Sequence, residues 1–240
     1  MRGWQCGAGM LVLFLAIRPV HLDATTVALV STGTEVLLAA DSRRTFIDRA
    51  GTEAACNMVV KKDSAYALTG LVGLGAESTD FARLTKVAKS SVRETITAIT
   101  PRLISLVAAA LPRMAVSRKA DLVGRPVMTL VGIGFAPDGK TRIYELQVIV
   151  DTFDVVGSRI SQREGGRYGN IFSTEKGLEG ASSYLRSSPA DWLFQAPSLQ
   201  RLTDLVKSSV SADPDANSLP IAIARLTSTG ARWVDRGPCK

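Results

Sequence analysis

Thr25-Thr26-Val27-Ala28-Leu29-Val30-Ser31-Thr32-Gly33-Thr34-Glu35-Val36-Leu37-Leu38-Ala39-Ala40-Asp41 reads as two short strands, Thr25 to Ser31 and Glu35 to Ala40. They are joined at Thr32-Gly33-Thr34, whose glycine permits a hairpin turn. Antiparallel pairing carries the end of the second strand back beside the start of the first. The carboxyl group of Asp41 is therefore expected next to the hydroxyl of Thr25.

The residues before this hairpin have the layout of an export signal. Arg2 precedes an apolar block, Met10 to Ile17, and a polar stretch ending in Ala24 closes it. The block is too short for a helix that must cross roughly 30 Å of hydrocarbon at about 1.5 Å per residue. Residues 1–24 are accordingly expected to be removed, leaving 25–240 as a single exported domain, periplasmic or extracellular, without a stable membrane anchor. A retained signal anchor is the alternative, since Leu22 is larger than the small residue usual at that distance from a cut. Cleavage after Ala24 makes Thr25 the first residue, with a free amine beside its own hydroxyl.

Beyond the hairpin the period-two pattern continues in Asn57 to Lys62 and Ala65 to Thr69, with Asp63-Ser64 between them. The spacing then changes. Phe81, Leu84, Ala88, Val92, Ile96 and Ile99 recur every three or four residues behind Ser78 or Thr79, which predicts an amphipathic helix with a polar cap. Thr100-Pro101 is expected to open a second helix, with Leu103, Val107, Ala110 and Met114 on one face. Strands return at Val127 to Phe135 and Arg142 to Val150 around Ala136-Pro137-Asp138-Gly139-Lys140, and Val155 to Ile160 adds a further one. Helical spacing reappears over Thr174 to Leu185 and Ser198 to Val210. Pro220 to Leu226 and Ala231 to Val234 flank Ser228-Thr229-Gly230. Strands, two helices, strands, two helices, strands is an α+β order that fits two packed, mainly antiparallel sheets between helical layers.

Composition narrows the chemistry. The chain has 240 residues, 46% of them apolar, with a formal net charge of +7, enough for a sizeable core. The basic residues come in pairs at most, as at Arg43-Arg44, Lys61-Lys62 and Arg118-Lys119, without the clustering and aromatic platforms of a nucleic-acid surface. The only histidine is His21, within the expected leader. No imidazole base is left for a Ser-His-Asp or Cys-His mechanism, and the commonest zinc ligand is missing. No metal and no cofactor is expected. Cys56 and Cys239 remain after processing. They could pair in an oxidising compartment, or Cys56 could be a small core side chain and Cys239 a loose one.

A terminal threonine works without histidine. Its amine, with a pKa of roughly 7.7 to 8.0, is partly neutral near pH 7 and can accept the hydroxyl proton, which points to acyl transfer at an amide or ester carbonyl. Such a site also needs an acidic residue to organise it, for which Asp41 is the candidate. It further needs a backbone N–H to hold the oxyanion, which Gly70 at the end of the fourth strand could offer unobstructed.

With these residues in place the chain resembles the proteasome β-type subunits, a family that includes the peptidase subunit of bacterial ATP-dependent proteases. The likeness rests on Thr25-Thr26-Val27, on Ala39-Ala40-Asp41-Ser42-Arg43-Arg44-Thr45 at the family's spacing, on Leu68-Thr69-Gly70-Leu71, and on Asp215-Ala216-Asn217-Ser218 before the closing hairpin. It implies the αββα sandwich of N-terminal-nucleophile hydrolases and cleavage of peptides or unfolded proteins inside a homo-oligomeric ring. By the same resemblance Thr25 is the nucleophile, Asp41 its supporting aspartate and Gly70 the oxyanion donor. Asp215 and Ser218 are the pair near the terminal amine. Thr45 aligns substrate as an added strand, and Leu68 lies in the specificity pocket.

The chain departs from the family at one point. A lysine close to the nucleophile has no basic counterpart: Cys56, Asn57 and Met58 are the candidates for its place. Lys61 and Lys62 lie roughly 10 to 13 Å farther along a strand and would need a bulge or another register to replace it. Three functions follow. The first is an exported threonine peptidase, the second a catalytically impaired structural or binding protein on the same fold, and the third a secreted amidase acting on a small molecule.

Overall fold

Residues 25–45, 52–70, 91–113, 120, 122–152, 155–189, 192–194 and 198–239 are described by a computed structural model. The expected leader, the Phe81, Leu84 and Ala88 portion of the first expected helix, and Met114 lie outside the described residues. In chain order the elements are β1 (Val27–Thr32), β2 (Glu35–Ala40), β3 (Arg43–Thr45), β4 (Thr52–Ala54), β5 (Met58–Val60), β6 (Ser64–Gly70) and α1 (Val92–Ala110). They continue with β7 (Pro126–Phe135), β8 (Thr141–Val150), β9 (Val156–Glu164), β10 (Arg167–Phe172), α2 (Glu175–Arg186), α3 (Ser198–Ala212), β11 (Ala222–Thr227) and β12 (Gly230–Asp235). The described residues thus form a mixed α/β protein with two five-stranded antiparallel sheets and three helices, compatible with a sandwich. The first sheet has the order β10-β1-β2-β11-β12, the second β5-β6-β7-β8-β9, and β3 and β4 form a separate ribbon.

The opening hairpin forms as its sequence requires. Val27 faces Ala40 and Ser31 faces Val36 across the ladder, and Gly33 takes φ +99 at the turn, a backbone state that costs glycine little. Both faces of β1 and β2 are buried, which is why they read as nearly unbroken apolar runs. Val27, Leu29, Val36 and Leu38 join Met58, Ala65, Val131, Ile133 and Ile143 in a cluster linking the two sheets. Ala28, Val30, Leu37 and Ala39 turn the other way, onto Leu178 of α2 and Leu202 and Val206 of α3. A third cluster sets Ile96, Ile99, Leu103 and Val107 of α1 against Tyr66, Leu68, Leu130 and Leu146 of the second sheet.

Two features of the expected helices are corrected. The first helix does not run on from Ser78 or Thr79: Ser91 has extended dihedrals, and its side chain caps the helix by accepting from Glu94 N. Nor does a new helix open at Thr100-Pro101. Pro101 lies inside α1, because the buried stripe Val92, Ile96, Ile99, Leu103, Val107, Ala110 keeps one helical phase across it. Burying that stripe outweighs the cost of an interior proline, about 3 kcal/mol. Three strands escape the sequence pattern, β3, β4 and β10. The last, Arg167-Tyr168-Gly169-Asn170-Ile171-Phe172, has no clean alternation and forms by pairing along β1, Val27 against Phe172 through Thr32 against Arg167.

Candidate active site

Thr25 lies two residues ahead of β1 and is 2% exposed. Its backbone has φ +62, a left-handed conformation that is an outlier for a β-branched residue and costs roughly 1–3 kcal/mol. Contacts from several elements hold it there. Thr25 N donates to Ala216 O at 3.4 Å, and Thr69 Oγ1, near the end of β6, donates to Thr25 O at 2.5 Å. The side-chain hydroxyl donates to Arg43 O at 2.5 Å and accepts from Asn57 Nδ2 at 3.2 Å.

That last contact picks one residue out of the three sequence candidates. Asn57 is 3% exposed, and its Nδ2 also faces Asp41 O at 3.3 Å and Arg43 O at 2.9 Å. Its neighbours face elsewhere, Cys56 in a disulfide with Cys239 and Met58 in the inter-sheet core. The open question of the two cysteines is thereby answered: they pair. Lys61 and Lys62 lie past the far end of β5, which pairs with β6 from Met58–Ala67 to Val60–Ala65. No bulge brings either lysine back to Thr25.

Asp41 is fully buried one residue past β2, with Asp41 N donating to Thr26 O at 3.0 Å. Its carboxyl accepts from Ser218 N at 3.1 Å and Arg43 N at 3.4 Å, and from the Thr26 backbone. Burial pushes this carboxyl up to about 8, against the downward pull of the Ser218, Thr26 and Arg43 backbone N–H groups and of the Arg43 charge. Asp41 thus clamps the backbone on both sides of the site, while the Thr25 hydroxyl takes its own partners from Arg43 O and Asn57. Ser218 O also accepts from Ser42 N at 3.2 Å. Asp215 is exposed, and it is the carbonyl of the next residue, Ala216, that meets Thr25.

Gly70 follows Thr69 at the end of β6 with φ +112, and a Cβ there would stand 2.4 Å from Val127 O. Close packing against β7 therefore requires glycine, whatever its N–H does. Leu68 is buried in the cluster between the second sheet and α1. Thr45 ends β3 opposite Thr52 of β4.

The sequence pattern gave no hint of the polar cluster behind Thr25. Thr26 Oγ1 meets Ser173 Oγ at 2.6 Å and Ser209 Oγ at 3.0 Å, and donates to Asn217 Oδ1 at 3.0 Å. All four residues are buried. Ser173 precedes the cap of α2 and Ser209 belongs to α3, so the start of β1 is tied to both helices of its own layer. Thr174, the α2 cap, donates to Asp213 Oδ2 at 2.6 Å. These are hydroxyl and amide side chains without periodicity, and only the folded chain brings them together.

Among the described residues no group of three or more His, Cys, Asp or Glu side chains could hold a metal, and no helix is long and apolar enough to cross a membrane. What the site offers is a hydroxyl with one neutral donor and one carbonyl partner, on backbone held by a buried carboxyl. The sequence matches no protein-family model and none of the curated proteins compared with it.

Proposed function

We propose that this chain is an N-terminal-nucleophile hydrolase of the four-layer αββα type, resembling the proteasome β-type subunits, that cleaves peptide bonds with Thr25 after residues 1–24 are removed. One observation carries the reading: Thr25 Oγ1, at the entrance to β1, is engaged by Asn57 Nδ2 at 3.2 Å and by Arg43 O at 2.5 Å. Asp41 anchors the adjoining backbone. The left-handed φ of Thr25 agrees with processing at this point, because φ exists only while a carbonyl carbon precedes the nitrogen. Loss of residue 24 removes the constraint. The disulfide supports export to an oxidising compartment.

In the proposed reaction the freed amine takes the hydroxyl proton and Oγ1 attacks the substrate carbonyl. The amine then returns the proton to the leaving nitrogen, and water hydrolyses the threonine ester. Asn57 orients the hydroxyl. As a neutral amide it lends no positive charge to stabilise the alkoxide, and that favours a second reading, an impaired member of the fold retained for assembly or partner binding.

Sequencing the N-terminus of the secreted protein and treating it with a threonine-reactive electrophile tests both. The first reading expects Thr25 at the terminus, a covalent adduct on it, and peptide hydrolysis that falls at least about a thousandfold in Thr25→Ala. A different first residue, or unchanged hydrolysis in Thr25→Ala, overturns it. A correctly processed but inert protein that becomes labelled in Asn57→Lys establishes the second.

A further inference from the structure

We infer that the Cys56–Cys239 disulfide is a positioning element of the Thr25 site, acting through Asn57, so that the reactivity of the Thr25 hydroxyl depends on the crosslink. The inference rests on Thr25 being the nucleophile and adds a control over it.

The stretch Ala55-Cys56-Asn57 belongs to no strand. One backbone bond holds its front, Ala55 N to Ser42 O at 2.7 Å, and one its back, Leu68 N to Asn57 O at 2.9 Å. Between them the chain is fastened by the bond from Cys56 to Cys239, with their Cα atoms 4.8 Å apart across a sequence separation of 183. The partner is itself anchored: Cys239 is buried in the cluster linking the two sheets, and its N–H donates to Arg236 O at 2.8 Å just past β12. Asn57 is thus fixed covalently, one residue away, to the end of the other sheet.

The amide it carries has little tolerance for displacement. A single nitrogen with two hydrogens faces three oxygens, and the bonds to Thr25 Oγ1 and Asp41 O, at 3.2 and 3.3 Å, are longer than the 2.9 Å bond to Arg43 O. An outward shift of roughly 0.3 Å carries the first two to about the limit of hydrogen bonding while the third survives. Opening the crosslink therefore releases the Thr25 hydroxyl before it disturbs the fold. The step is a two-electron exchange with a dithiol reductant: its thiolate attacks the protein disulfide, Cys56 and Cys239 leave as thiols, and the reductant departs as its own cyclic disulfide.

The test uses the secreted full chain at a temperature well below its unfolding transition, oxidised or treated with dithiothreitol. The rate of Thr25 labelling by a threonine-reactive electrophile is followed together with the near-ultraviolet circular dichroism. Reduction is expected to slow labelling about tenfold, the effect of one lost hydrogen bond, with the tertiary signal kept. In Asn57→Ala, labelling is slow in both states and reduction changes nothing further. The Asn57 side-chain amide resonance, assigned by its loss in Asn57→Ala, reports on the crosslink whether or not Thr25 reacts: its hydrogen exchange should speed up about tenfold or more on reduction.

An amide signal indifferent to reduction overturns the inference. So does a tertiary signal that collapses in step with labelling, which makes the disulfide a global staple, or a redox effect that persists undiminished in Asn57→Ala. If Thr25 is never labelled while the Asn57 amide still responds to reduction, the nucleophile reading fails and the positioning stands.

Discussion

At the scale of single residues, Asp41 shows how burial sets chemistry. Its carboxyl is pushed from the ordinary 3.8 to about 8 by loss of water, so the native chain holds a proton there that the unfolded chain releases above about pH 4. Stability from this group is therefore complete below about pH 4 and is lost as the pH rises to about 8. Urea unfolding at pH 5 and pH 8 should find the wild type less stable at the higher pH, and Asp41→Asn should flatten the difference. A wild type equally stable at both would mean that the Ser218, Thr26 and Arg43 backbone N–H groups keep the carboxylate ionised in the native state. Thr25 and Asp41 were legible as a pair because hairpin register is a local property. Asn57 was legible only as one of three, since the direction of a side chain just ahead of a short strand depends on what that strand packs against.

Among the elements, α1 is the clearest contest between local rule and packing. Pro101 has no N–H to give the carbonyl four residues back, and both Thr97 and Pro101 are exposed, so water can serve the orphaned acceptor. Six buried side chains on one stripe hold the helix together across the proline. Replacing this exposed residue removes no core contact, so Pro101→Ala should stabilise the protein by about 2–2.5 kcal/mol. That is the helix-interior penalty less the entropy returned to the unfolded chain, and urea unfolding would measure it. A destabilised variant would mean that α1 is bent at Pro101 to fit the sheet. The strand β10 marks the opposite case: its sequence is weak, and the open side of β1 supplies the order.

At the scale of the whole molecule, three apolar clusters and one crosslink among the described residues divide the work. The disulfide closes a loop of 183 residues, for which chain entropy gives about 5 kcal/mol, the upper end of the roughly 2–5 kcal/mol that loss of a native disulfide costs. The inter-sheet cluster that surrounds it is built from both sheets and does not depend on the sulfur bond. Reduction should lower the urea midpoint by a corresponding amount and leave a single cooperative transition, followed by circular dichroism in parallel samples. A broad or two-step transition would show that the C-terminal hairpin comes away on its own.

The sequence by itself determined the local features: the opening hairpin, the alternation of most strands, the helical stripes, the glycine turns and the nearness of Asp41 to Thr25. Each follows from side-chain period and backbone freedom over a few residues. The tertiary structure decided what depends on distant partners. It chose Asn57 over Cys56 and Met58 as the group on the Thr25 hydroxyl and paired Cys56 with Cys239. It also assembled the Thr26, Ser173, Ser209 and Asn217 cluster and recruited β10 to the first sheet. Polar side chains without a repeating pattern carry no signal along the chain, because their meaning lies in which acceptor or donor the packed sheets and helices bring within about 3 Å.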